Sequence, residues 1–121
     1  PTVDDMGQYV VADHTEHDDS VLVVREFENI YRLGDLTLSR EEIAAELPEG
    51  FTFVGARICP LGECEALHMV MHQNDRRISV YLIRDQDMDF SLSPNGRYSL
   101  QEGSQTVQFW KKGNYVFAMV G

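Results

Sequence analysis

The stretch ICPLGECEALHMVMH, residues 58–72, holds both cysteines of the chain and two of its four histidines. Side chains of these types can ligate a transition metal, cycle between thiol and disulfide, or form a permanent cross-link. Cys64, His68 and His72 recur at every fourth position. On a helix, neighbours in that series would share a face. On a strand, at roughly 3.3 Å per residue, each step is about 13 Å. Zinc–ligand bonds are only about 2.0–2.3 Å long, so a strand would put neighbours in this series out of reach of one ion.

Cys59 and Cys64 flank Pro60-Leu61-Gly62-Glu63, which is turn chemistry. A reversal there would set the two cysteines across from each other, at about 4.5–5.5 Å, within disulfide range. A Cys59–Cys64 bridge is the expectation, with two reduced cysteines as the alternative in a reducing compartment. A thioredoxin-like redox centre is disfavoured, because it uses C-x-x-C at a helix N-terminus.

A second cluster, DHTEHDD, gathers His14, Glu16, His17, Asp18 and Asp19. On a helix His14 and His17 would share a face and form a weak divalent site. Such runs are more often solvated linkers, so no metal and no cofactor is expected. Glu42 of the Glu41–Glu42 pair has a capping role, and Asp87–Asp89 falls in a loop. Nucleophile elbows, P-loops and dinucleotide glycine patterns are absent, so no catalytic residue is expected.

The elements that position these residues follow from periodicity. Residues 1–19 are polar and acidic apart from YVV, and read as an extended or disordered lead. In SVLVVREFENIYRLGD, Val23, Phe27, Ile30 and Tyr31 fall at roughly helical spacing behind a Ser20 cap, which favours a helix, with a strand as the alternative for the β-branched VLVV. Ser39 and Glu42 form a capping box before Ile43, Ala44 and Leu47, and Pro48 ends that helix. From residue 51 the period becomes two. FTFVGARI, EALHMVMH, RISVYLIR, TVQFW and YVFAMV are strands, with MDFSL and RYSL as further edge segments. Asn74–Asp75, Asn95–Gly96 and Gly113–Asn114 mark turns, and Gly55 a bulge.

About Asn74–Asp75 the register pairs Gln73 with Arg76 and then, on one apolar face, Met71 with Ile78, Met69 with Val80 and Leu67 with Leu82. His72 then opposes Arg77, and His68 opposes Tyr81, on the other face. The predicted fold is α+β, with N-terminal helices on one face of an antiparallel sheet of about five strands. Residues 1–19 form the lead and 20–121 a single domain. His68 and Tyr81, with Trp110 and Tyr115, are the candidates for a contact surface, and Trp110 could also line a ligand pocket.

The 121 residues suit one domain. A net charge of −10 disfavours polyanionic partners, since phosphate contacts need clustered Lys and Arg. No stretch approaches the roughly 20 apolar residues of a membrane span.

Two segments, LPEGFTFVGARICPLGECEALHMVMHQNDRRISVYLIRD and VQFWKKGNYVFAMVG, have a recognisable cadence. Together they resemble the C-terminal extracytoplasmic portion of bacterial membrane-anchored anti-sigma factors and related transmembrane regulators. The matching stretches are Phe51 to Arg57, Leu67 to Met71, Arg77 to Tyr81 and Phe109 to Gly121. Ala56, where a second glycine is common, and the cysteine pair depart from the pattern. The resemblance spans residues 46–121 and names no catalytic residue. It implies a non-catalytic periplasmic sensory or contact domain of a single-span regulator. It also implies a protein partner or homo-oligomer, and a membrane link only through an upstream helix. The acidic lead would then be the membrane-proximal linker, and a periplasmic setting would favour the disulfide. The alternative is a periplasmic domain that binds a small ligand or divalent metal.

Overall fold

A computed structural model describes residues 2–16, 30–33, 36–47, 49–88 and 96–121. In chain order the elements are α1 (Val3–Glu16), β1 (Ile30–Leu33), β2 (Leu36–Ser39), α2 (Arg40–Ala45), β3 (Thr52–Leu61), β4 (Cys64–Gln73) and β5 (Arg76–Arg84). A 3-10 turn (Asp85–Asp87) follows, then β6 (Arg97–Glu102), β7 (Gln105–Lys112) and β8 (Tyr115–Val120). The fold is α+β. Its sheet has six antiparallel strands in the order β3-β4-β5-β8-β7-β6, one more than expected because RYSL extends into β6. β1 and β2 pair separately.

Local chemistry sets the reversals. Asn74 and Asp75 both take positive φ, 50° and 66°, as a type I′ hairpin turn requires. The β4–β5 register has Gln73 opposite Arg76, Met69 opposite Val80 and His68 opposite Tyr81, as the hydrophobic pattern predicts. A register shift between Phe53 and Gly55 places the bulge where the in-strand glycine indicates.

Two findings depart from the sequence-based expectation. First, the acidic lead contains helix α1. Thr2 and Asp5 cap its start reciprocally: the Asp5 N–H donates to Thr2 Oγ1 and the Thr2 N–H to Asp5 Oδ2, both at 3.1 Å. Met6 and Val10, both fully buried, form its apolar stripe and join a cluster with Cys59, Ala66, Tyr81, Ile83 and Phe109. The close approach is visible at Gly7, where a Cβ would lie 2.2 Å from a Leu100 methyl.

Second, Ile30 and Tyr31 belong to strand β1 and not to a helix. The remainder of that expected helix (residues 20–29) lies outside the described residues, as do Asn95 and residues 89–92 of MDFSL. The Ser39–Glu42 capping box is present on α2.

The helices do not share a face of the sheet. Ile43 of α2 and Leu38 of β2 join Leu67, Met69, Val80, Leu82, Trp110 and Phe117 in a cluster on the face opposite α1. Both faces of the central strands are therefore covered. Six consecutive residues of β4, Ala66–Met71, and six of β5, Ile78–Ile83, are buried. Apolar runs of this kind mark strands buried on two sides.

Candidate functional site: a buried polar cluster under helix α1

The helical period that buries Met6 and Val10 also brings Asp13 to the sheet. Below it, Arg57, His68 and Tyr81 stand in one row across β3, β4 and β5. Asp13 Oδ1 accepts a 2.5 Å bond from the Arg57 guanidinium, and Oδ2 accepts a 2.6 Å bond from the Tyr81 hydroxyl. His68 stacks on Tyr81 with ring centroids 4.3 Å apart.

The proton positions follow from the donors. Arg57 Nε–H donates to His68 Nδ1 at 3.2 Å, so His68 carries its own proton on Nε2 and donates to Ser79 Oγ at 2.9 Å. The Ser79 hydroxyl then donates to His14 Nδ1 at 2.6 Å. Arg77 donates to that nitrogen and to the His14 carbonyl, which lies in the last turn of α1. The end of α1 is thus fastened directly to β3 and β5, and through Arg57 and Ser79 to His68 of β4.

Electrostatics agree with this assignment. Burial lowers the His68 pKa to about 3, reinforced by Arg57 and Arg77 against the pull of Asp13, so the ring is neutral. Asp13 Oδ2 lies 3.4 Å from His68 Nδ1, but with Arg57 donating to that nitrogen the contact is not an ion pair. Burial, then Arg77, lowers the His14 pKa as well. Burial would raise the Asp13 carboxyl, yet the bonds from Tyr81 and Arg57 outweigh it and hold the pKa below the ordinary value. Burial and Asp13 push the Cys59 thiol up to about 12, and push Tyr81 upward too.

Asp13, His68 and Ser79 are the residue types of a hydrolase triad, but His68 accepts at Nδ1 from Arg57 and donates from Nε2 to Ser79, the reverse of the arrangement a general base needs. Ser79 is also fully buried, and the acid sits on the helix that covers it. Lifting α1 to admit a substrate would remove Asp13 and dismantle the triad.

The residues singled out from sequence are distributed differently. Cys64, His68 and His72 are indeed spread along a strand. His68 instead meets Cys59, on the neighbouring strand, and Asp13: one ligand atom of each lies within 4.8 Å of the others. Strand spacing along one chain segment could not reveal that meeting across strands.

The cysteines are not bridged. The reversal is a two-residue turn at Gly62–Glu63, with Gly62 at φ 61°. It sets Leu61 opposite Cys64 and Cys59 opposite Ala66. The cysteines are therefore diagonal neighbours, about 7–8 Å apart, beyond the roughly 3.8 Å between Cβ atoms that a disulfide needs. Cys59 is 1 % and Cys64 6 % exposed. Unreduced protein should show two thiols to a disulfide-exchange reagent in denaturant, and almost none when folded. A denatured sample with none would restore the bridge.

The contact-surface candidates are mostly interior. His68 and Tyr81 lie beneath α1, because the face expected to be open is covered. Trp110 is buried and stacked on Phe117 at 5.0 Å. Tyr115 reaches Glu42 of α2 at 3.5 Å and packs edge-on against Phe117. The exposed large apolar side chains among the described residues are Ile58 and Tyr98, one on each edge strand. Of the weak metal pair, His14 is engaged by Ser79 and Arg77, and His17 lies outside the described residues. No protein-family model, curated protein or solved structure matches the chain.

Proposed function

We propose that this chain is a non-catalytic sensory or protein-contact domain of a single-span bacterial regulator, of the anti-sigma type, and that docking of α1 is its two-state element. The supporting observation is the polarity of the α1 latch. Asp13, His14, Arg57, His68, Ser79 and Tyr81 hold the helix through groups that water would solvate well. Buried ion pairs give back much of their attraction as desolvation cost, so the polar end of α1 adds little to the cost of releasing the helix beyond that of exposing Met6 and Val10. Elements of low local stability are the ones that carry conformational signals. A protein partner or second copy that binds one state of α1 better than the other would shift the balance by that difference.

A periplasmic setting rests on the family resemblance alone, since the cysteines are placed too far apart to support it. Net charge of −10 continues to disfavour nucleic acid. The second reading, a divalent-metal-binding domain, is favoured by one specific observation, the Asp13–Cys59–His68 cluster.

The test is a chimera that displays residues 1–121 outside the inner membrane, behind one transmembrane helix and a cytoplasmic domain that drives a transcriptional reporter. Asp13→Ala should change reporter output several-fold. Ser39→Ala, which removes the α2 cap at a cost of about 1 kcal/mol, should not. Equal output from wild type and Asp13→Ala at equal chimera levels would overturn the proposal.

A further inference from the structure

Asp13, Cys59 and His68 come from α1, β3 and β4, and all three are buried. We infer that they form a site for one zinc-class divalent cation, held by the Asp13 carboxylate, the Cys59 thiolate and His68 Nδ1, with water in the fourth position. The site stands on its own geometry, whether or not the domain signals.

Four observations carry it. A sulfur, an imidazole nitrogen and a single carboxylate suit zinc, cobalt or nickel, whereas magnesium and calcium favour all-oxygen sites. His68 donates Nε2–H to Ser79, which turns the Nδ1 lone pair towards Asp13. A ligating histidine is commonly oriented in this way by its second nitrogen. The Nδ1–Oδ2 separation is 3.4 Å. Two ligands on one tetrahedral ion, with bonds of about 2.0–2.1 Å, lie about 3.3–3.4 Å apart.

The fourth observation is charge. The Arg57 guanidinium already bonds to both Asp13 and His68, so a cation occupies this place in the metal-free protein. Ion binding displaces the guanidinium and releases the Cys59 thiol proton to the buffer as the metal–sulfur bond forms. One divalent charge arrives as two single positive charges leave, and no uncompensated charge is buried. No oxidation state changes. Arg57 lies on edge strand β3 with its side chain 14 % exposed, so it can swing outward without breaking the sheet. Because Asp13 belongs to α1, the ion would clamp the helix to the sheet.

The experiment titrates the reduced, metal-free protein with Co2+ and then Zn2+. One equivalent of Co2+ should produce a thiolate-to-cobalt charge-transfer band that Zn2+ abolishes, with about one proton released per ion. Cys59→Ser should remove the band and weaken Zn2+ binding about tenfold or more, while Cys64→Ser keeps both. Arg57→Gln should tighten Zn2+ binding several-fold, because the competing cation is gone. Circular dichroism checks that each variant is folded. If Arg57→Gln is not, the wild type and the two cysteine variants decide. Absence of stoichiometric binding at micromolar protein, a band that survives Cys59→Ser, or weaker binding by folded Arg57→Gln would overturn the inference. Failure to bind while the α1 amides remain protected from exchange would sink the metal site and leave α1 docking intact.

Discussion

Asp13→Ala is expected to lower the unfolding free energy by about 3 kcal/mol, the scale of breaking one partner out of a buried pair. The substitution leaves the Arg57 guanidinium without its counter-charge and the Tyr81 hydroxyl without its acceptor. Both groups stay largely enclosed, and an unsatisfied buried donor costs its desolvation. Urea denaturation measures the loss. Removing both charges discriminates between mechanisms. Asp13→Leu combined with Arg57→Met should recover part of the loss, because no unpaired charge is left buried, while the Tyr81 hydroxyl still lacks its acceptor. Additive losses in the double variant would mean that the two side chains do not act on each other.

A second large effect should appear in acid. His68 titrates at about 3 in the folded protein, against 6.5 for an unperturbed histidine. Between those values the unfolded chain binds a proton that the folded chain does not. Stability therefore rises with pH across this window and is lost as pH falls from 6.5 towards 3. The slope for one such group is at most about 1.4 kcal/mol per pH unit. His14, whose pKa is also lowered, acts in the same direction. Asp13 adds a further loss as pH drops through its ordinary 3.8, because its folded value is depressed. Thermal melts from pH 7 to pH 4 should show a falling Tm, and His68→Gln should flatten the profile from a lower starting point. A wild-type profile flat between pH 6.5 and 4.5 would contradict a buried neutral His68.

The strands were legible because their information is local. Period-two alternation, the Asn74–Asp75 turn and the matched apolar sets of β4 and β5 fix a register that the structure reproduces pair by pair. The Ser39–Glu42 box was equally readable. What covers each face was not, since the bond from Tyr81 to Asp13 joins residues 68 positions apart.

Two local signals for α1 were nevertheless present. Thr2-x-x-Asp5 is a capping box, and Met6, Val10 and Asp13 keep helical spacing. The aspartate at the buried end of that stripe disguised the amphipathic pattern, because burial there is satisfied by hydrogen bonds and not by apolar contact. The near-continuous apolar runs around His68 and Tyr81 were the other clue. Strands that lack a polar face are covered on both sides, so these two residues could not have faced solvent.

Amide hydrogen exchange along α1, compared between wild type and Asp13→Ala, tests most directly whether a polar latch holds this helix to the sheet. In wild type, amides of Val3–Glu16 should be protected but open at lower free energy than those of β4 and β5. In Asp13→Ala the α1 amides should approach free-peptide rates, while those of β4 and β5 stay protected and lose no more than the fall in global stability. Wild-type α1 amides exchanging at free-peptide rates, or opening only together with the sheet, would contradict the account.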